Sequence, residues 1–147
     1  MKDLIWVTRG KQYDRDRDVQ KVIAVLDDEA EMEEIYSLLL EEPIEKGLID
    51  FQFFSDSRCF VKWLDHNNLD ILVTDINMPF ISGTDILKIM KKNGRDILTY
   101  FISGHDERDF KKIMNDLGVN RFISKPINFN TFLDELGLNQ SKFSHQQ

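Results

Sequence analysis

Residues 71–83 read ILVTDINMPFISG. Ile71, Leu72, Val73 and Thr74 make a short apolar run rich in β-branched residues, the pattern of a strand buried on both faces. Asp75 then stands where the strand should end, and the chain turns at once through Asn77, Met78-Pro79 and Gly83. A carboxylate in that place is either a cap for the following turn or a group held at the mouth of a sheet. The residues on either side decide between them.

Working outward, short apolar runs alternate with helical patterns. Upstream, residues 22–26 (VIAVL) read as a strand. Residues 29–42 place Met32, Ile35, Leu39 and Leu40 at helical spacing with glutamates opposite, and Pro43 is expected to stop that helix. Residues 49–54 form a second strand, and 56–67 a helix around Phe60, Val61 and Leu64 that Asn67-Asn68 breaks. Downstream of Asp75, a helix carries Ile86, Leu87, Ile89 and Met90 and closes at Asn93-Gly94. Strand 97–102 follows, then a helix capped by Asp106 that presents Phe110, Ile113, Met114 and Leu117 and ends at Gly118. Strand 119–124 leads into the Lys125-Pro126 turn and a last helix over 128–138.

Five βα units in succession imply an α/β fold, a doubly wound parallel sheet with helices on both faces. The length and right-handed crossovers favour the flavodoxin-like strand order 2-1-3-4-5. Ligands of such sheets bind beyond the carboxyl ends of the strands. The expected organisation is an extension over 1–20 of partial order or flexibility, a folded domain over 21–139, and a polar tail over 140–147.

The bulk numbers narrow the function. The chain has 147 residues, 41% hydrophobic and 31% charged, which suits one soluble domain. Its net charge of −7 disfavours direct nucleic-acid binding. No apolar run reaches the roughly 20 residues of a membrane span. A lone cysteine, Cys59, forms no internal disulfide, which fits a reducing, cytoplasmic setting, and it is expected to pack on the sheet.

At the carboxyl ends stand Asp27-Asp28, Asp75, Ser103-Gly104 and Ser124-Lys125-Pro126. The strand order brings them to one pocket. Like charges about 4 Å apart repel by roughly 4 kcal/mol at an effective dielectric near 20, so three converging carboxylates need a proton or a cation. Carboxylate oxygens suit Mg²⁺, and no His/Cys cluster favours zinc. The turn after strand one is Asp27-Asp28-Glu29-Ala30, without the glycines that cradle a dinucleotide pyrophosphate. An aspartate beside a cation, a lysine and a hydroxyl is arranged for phosphoryl transfer. Its carboxylate, expected to be ionised at neutral pH, needs no general base.

These residues give the chain a resemblance to the receiver domains of two-component response regulators. The acidic pair Asp27-Asp28, Asp75 in DINMPFISG, Ser103-Gly104 and Lys125-Pro126 carry it, over residues 21–138. The resemblance implies that Asp75 accepts phosphate from a sensor histidine kinase or a histidine phosphotransfer protein. It implies Mg²⁺ held by Asp28, Asp75 and the backbone carbonyl of Asn77, with Asp27 acting largely through water. Lys125 would pair with the phosphoryl group, and Ser103 would swing toward it. Phe122, three residues before the lysine, would be the aromatic that answers the swing by burial and remodels the face of the fourth helix, fifth strand and fifth helix. Gly104 and Phe122 depart from the alanine and tyrosine common at those positions. The final helix lacks the arginine-rich pattern of one class of receiver dimer, so a monomer or a phosphorylation-dependent homodimer is expected.

Other readings stay beside this one. The receiver could be a module of a larger regulator or hybrid kinase. A Mg²⁺-dependent aspartate-nucleophile phosphatase would want an acid where Asn77 stands. His105 lies at the rim and could govern water access, or be an exposed loop residue. His66 and His145 are isolated and take no role. Glu31, Glu33 and Glu34 are a solvated face or a kinase-docking surface. Gly83 is expected to permit a backbone conformation closed to other residues.

Overall fold

The computed structural model describes residues 20–119 and 121–138. Residues 1–19 and 139–147 lie outside them, and with them His145, nearly all of the expected extension, and the expected tail. The elements run β1 (Lys21–Leu26), α1 (Met32–Leu39), α2 (Glu41–Glu45), β2 (Ile49–Phe54), α3 (Ser57–Leu64), β3 (Ile71–Asp75), α4 (Gly83–Lys92), β4 (Leu98–Ser103), a 3₁₀ turn (Glu107–Phe110), α5 (Lys111–Leu117), β5 (Arg121–Ser124) and α6 (Phe129–Glu135). The five strands pair in parallel in the order β2-β1-β3-β4-β5, as the alternation requires.

The pleat sorts the sheet's side chains into two cores. Ile23, Val25, Ile71, Val73, Tyr100, Ile102 and Ile123 point to one side, where they meet Tyr36 and Leu39 of α1, Phe132 of α6 and Leu136 just past its end. Ala24, Leu26, Leu72 and Phe101 point to the other, where they meet Phe60, Ile86, Leu87, Met90 and Met114 of α3, α4 and α5. This is the doubly wound arrangement.

Four local expectations are corrected. Pro43 does not stop the first helix at residue 42. It sits inside α2, and the break comes earlier, at Leu40 (φ −102°, ψ 10°). Proline lacks the N–H that would bond back to Leu39, and its ring crowds that carbonyl, so the ladder fails about one turn upstream. Ile35 is 41% exposed rather than in the core, and Tyr36 takes the buried position. Ile113 is likewise 40% exposed, because Phe110, Met114 and Leu117 already fill the inward stripe. Cys59 does not pack on the sheet. It is exposed, since Phe60 and Leu64 form the inner face of α3.

Candidate functional site

The register sets the site. Leu26 of β1 lies opposite Thr74 of β3, so Asp27 and Asp75 leave neighbouring strands at one level. Asp75 is the last residue of β3 and pairs with Ile102, and Ser103 pairs with Ser124. Continuing the pleat, Asp27 and Asp75 follow Val25 and Val73 on the α1/α6 side. Ser103 and Phe122 belong to the opposite row, that of Phe101.

Asp27, Asp28 and Asp75 each offer a carboxylate oxygen, and these atoms lie within 4.8 Å of one another. Asp27 and Asp75 are buried and Asp28 is exposed. Lys125 Nζ donates to Asp75 Oδ1 at 2.8 Å and stands 3.6 Å from Asp27 Oδ2. The Glu29 N–H donates to the other Asp27 oxygen at 3.0 Å. Burial pushes the Asp75 carboxyl up to about 7, with Asp27 adding to the rise and the Lys125 hydrogen bond opposing it. The expectation of a carboxylate fully ionised at neutral pH is therefore corrected for the metal-free pocket. Burial works against the Lys125 charge, yet its bond to Asp75 and the nearby carboxylates hold its pKa above the ordinary value.

The donor set fits a hard divalent cation. Among the described residues Asp27 Oδ2 is buried with no hydrogen-bond partner, and three carboxylates gather within 4.8 Å, so a cation there would relieve both. The side chain of Asn77 is exposed, as suits a residue used through its main chain.

Ser103 is buried, and its hydroxyl accepts from the His105 N–H at 3.0 Å. Among the described residues no acceptor takes its proton. The Lys125 N–H donates to the Ser103 carbonyl at 2.9 Å, tying the lysine loop to β4. The Lys125–Pro126 peptide is cis. Phe122 is half-buried and stacks on Phe110 (6.1 Å, 26°), whose ring also meets His105 edge-on (6.4 Å). His105 and His66 are exposed.

The loop after Asp75 is held by a residue that sequence reasoning passed over. Ser57 Oγ donates to the Pro79 carbonyl and accepts from the Ile81 N–H, both at 3.2 Å. Between them Phe80 adopts φ 70°, and the Arg58 guanidinium lies 3.5 Å over its ring. Gly83 has no positive φ. A Cβ there would stand 2.5 Å from the Asp75 carbonyl oxygen. The glycine is needed for close approach of α4 to the Asp75 backbone, and the expectation of a special conformation is corrected. Tyr36, also passed over, is buried with its hydroxyl unpartnered.

Residues 23–136 match the response regulator receiver domain. The chain belongs to that family. Among curated relatives of this receiver domain, the response regulator protein TodT of Pseudomonas putida is 30% identical over 109 residues, covering 74% of the chain and 46% of TodT. The transcriptional regulatory protein FixJ of Bradyrhizobium diazoefficiens is 27% identical over 104 residues, covering 71% and 49%. The receiver chain thus spans about half the length of the curated relatives it matches. The fold is also that of the chemotaxis protein CheY4 of Vibrio cholerae (TM-score 0.71, 17% identity, 81% of this chain and 98% of that one). A response regulator receiver protein from Pseudomonas putida is equally similar in fold (TM-score 0.71, 21% identity, 82% and 98%). No helix among the described residues is long and apolar enough to cross a membrane.

Proposed function

We propose that this receiver domain takes a phosphoryl group onto Asp75 and passes the signal through the opposite face of its sheet. The observation that carries the reading is the ion pair of Lys125 with Asp75 at 2.8 Å, inside a cluster of three carboxylates. An Asp75 oxygen attacks phosphorus, the P–N bond of a phospho-histidine donor breaks, and the released imidazole nitrogen takes a proton. Lys125 moves its ammonium from the carboxylate to the incoming phosphoryl oxygens. Asp27, Asp28, Asp75 and the Asn77 carbonyl would hold Mg²⁺, which supplies positive charge against the anionic phosphoryl group and favours the ionised Asp75.

Ser103 then donates its free proton to a phosphoryl oxygen, and its movement reaches Phe122 and Phe110 on the same side of the sheet. Two packings of that aromatic pair, one favoured by phosphate, would be the switch of the face made by the Glu107–Leu117 segment, β5 and α6. His105, bonded to Ser103 through its N–H, sets access of water to the acyl phosphate and thus the rate of self-dephosphorylation. The donor is a sensor histidine kinase or a histidine phosphotransfer protein. Ile35 and Leu38, 41% and 64% exposed on α1 beside Glu31, Glu33 and Glu34, make that helix the docking face we favour. The setting is the cytoplasm. The relatives of about twice this length support a receiver working as one module of a larger regulator.

The test is incubation with a small phosphodonor and Mg²⁺, followed by intact mass. One stable phosphate in the wild type and none in Asp75→Asn supports the reading. Sustained turnover of phosphate esters would favour a phosphatase instead.

A further inference from the structure

Two buried side-chain oxygens among the described residues have no hydrogen-bond partner, Tyr36 Oη and Asp27 Oδ2. They belong to one side of the sheet. Asp27 prolongs the row Ile23–Val25 on the face that α1 covers, and Tyr36 is the α1 residue buried against that same cluster. The Tyr36 ring is pinned between Phe53 (6.3 Å between centroids) and Phe132 (5.8 Å), so its hydroxyl has a fixed direction. Burial holds the hydroxyl protonated, and the charges of Asp27 and then Asp75 act on it in the same sense, so it is a donor facing an acidic neighbourhood.

Buried tyrosine hydroxyls usually find a partner, and an orphan costs about 1–3 kcal/mol. Phenylalanine would fill the same volume without that penalty. The hydroxyl therefore answers a polar need, and the other unbonded buried oxygen among the described residues is Asp27 Oδ2, which the Lys125 ammonium approaches only to 3.6 Å. We propose that Tyr36 is a positioning residue: its hydroxyl donates, through one shared buried water, to Asp27 Oδ2. With the Glu29 N–H on Oδ1, both oxygens of the carboxylate are then aimed before a cation arrives. The inference rests on the reading of the pocket as a Mg²⁺ site, and it assigns Tyr36 the support of a ligand rather than a contact with the ion.

The test uses Y36F, D27A and the double variant, with thermal unfolding in EDTA and Mg²⁺ titration by calorimetry. Near-UV circular dichroism checks the fold of each. Y36F is expected to lower Tm by about 3 °C when Asp27 is present and not in the D27A background. In the same variant Mg²⁺ binding weakens about tenfold. A Tm raised equally by Y36F in both backgrounds makes the hydroxyl an orphan and overturns the proposal. So does an unchanged Mg²⁺ affinity in Y36F. A wild type that binds no Mg²⁺ sinks the reading of the pocket, while the metal-free cycle still decides whether Tyr36 and Asp27 are linked.

Discussion

Gly83 shows how tightly the Asp75 backbone is enclosed. A methyl group there would meet the Asp75 carbonyl oxygen at 2.5 Å and the Ile76 Cα at 3.0 Å, both main-chain atoms that cannot step aside. Gly83→Ala should therefore lose about 2–3 kcal/mol in urea unfolding and slow phosphorylation from a small donor. A variant as stable and as fast as the wild type would refute the close-approach account. Asp75 itself makes a pH prediction. Its carboxyl rises from an ordinary value of 3.8 to about 7 in the metal-free fold. The folded state thus holds the proton more tightly than the unfolded chain. Its favourable contribution is full below about pH 4 and is lost as pH rises to 7. Metal-free protein should lose stability across that window, and Asp75→Asn should flatten the slope. Protons compete for the same oxygens, so Mg²⁺ affinity should fall as pH drops below about 7. Calorimetric titration at several pH values measures this.

The same pocket could be read in outline from residue order, because Asp27, Asp75, Ser103 and Lys125 each close an apolar strand run. What stayed hidden were contacts between elements distant in sequence. Ser57 begins α3, yet it clamps the loop at Pro79 and Ile81, 22 and 24 residues later. Nothing in its neighbourhood signals this. Ser57→Ala should cost about 1 kcal/mol, read by urea unfolding, because the Pro79 carbonyl and the Ile81 N–H are left with only their bond to each other at 2.8 Å. Helix boundaries were partly legible. Asp56, Ser82 and Asn128 each accept from an N–H in the first turn of α3, α4 and α6. The first crossover was not, because a proline disturbs the turn before it rather than its own position, and because Ile35 and Tyr36 compete for one inward stripe. The segment after β4 begins as a 3₁₀ turn before α5, and Phe110 is its anchor on Phe122. Phe110→Ala should raise hydrogen exchange in Glu107–Leu117 while β1 stays protected. Equal protection in both variants would show that the stack does not hold the segment.

Across the whole molecule, the parallel sheet sets the acidic cluster and the Phe110–Phe122 stack on opposite faces. The pleat delivers Asp27 and Asp75 to the α1/α6 side, where Lys125 meets them, and aims Phe122 at Phe110 on the other. At the carboxyl edge Ser103 is bonded to the loops of both His105 and Lys125. The most direct test locates the phosphate. Protein incubated with Mg²⁺ and a small phosphodonor is treated with borohydride, which reduces an acyl phosphate to homoserine, and its peptides are sequenced by mass spectrometry. The account predicts homoserine at position 75, and at no other aspartate, with the yield lost in Lys125→Ala. Label at Asp27 or Asp28, or none anywhere, would contradict it.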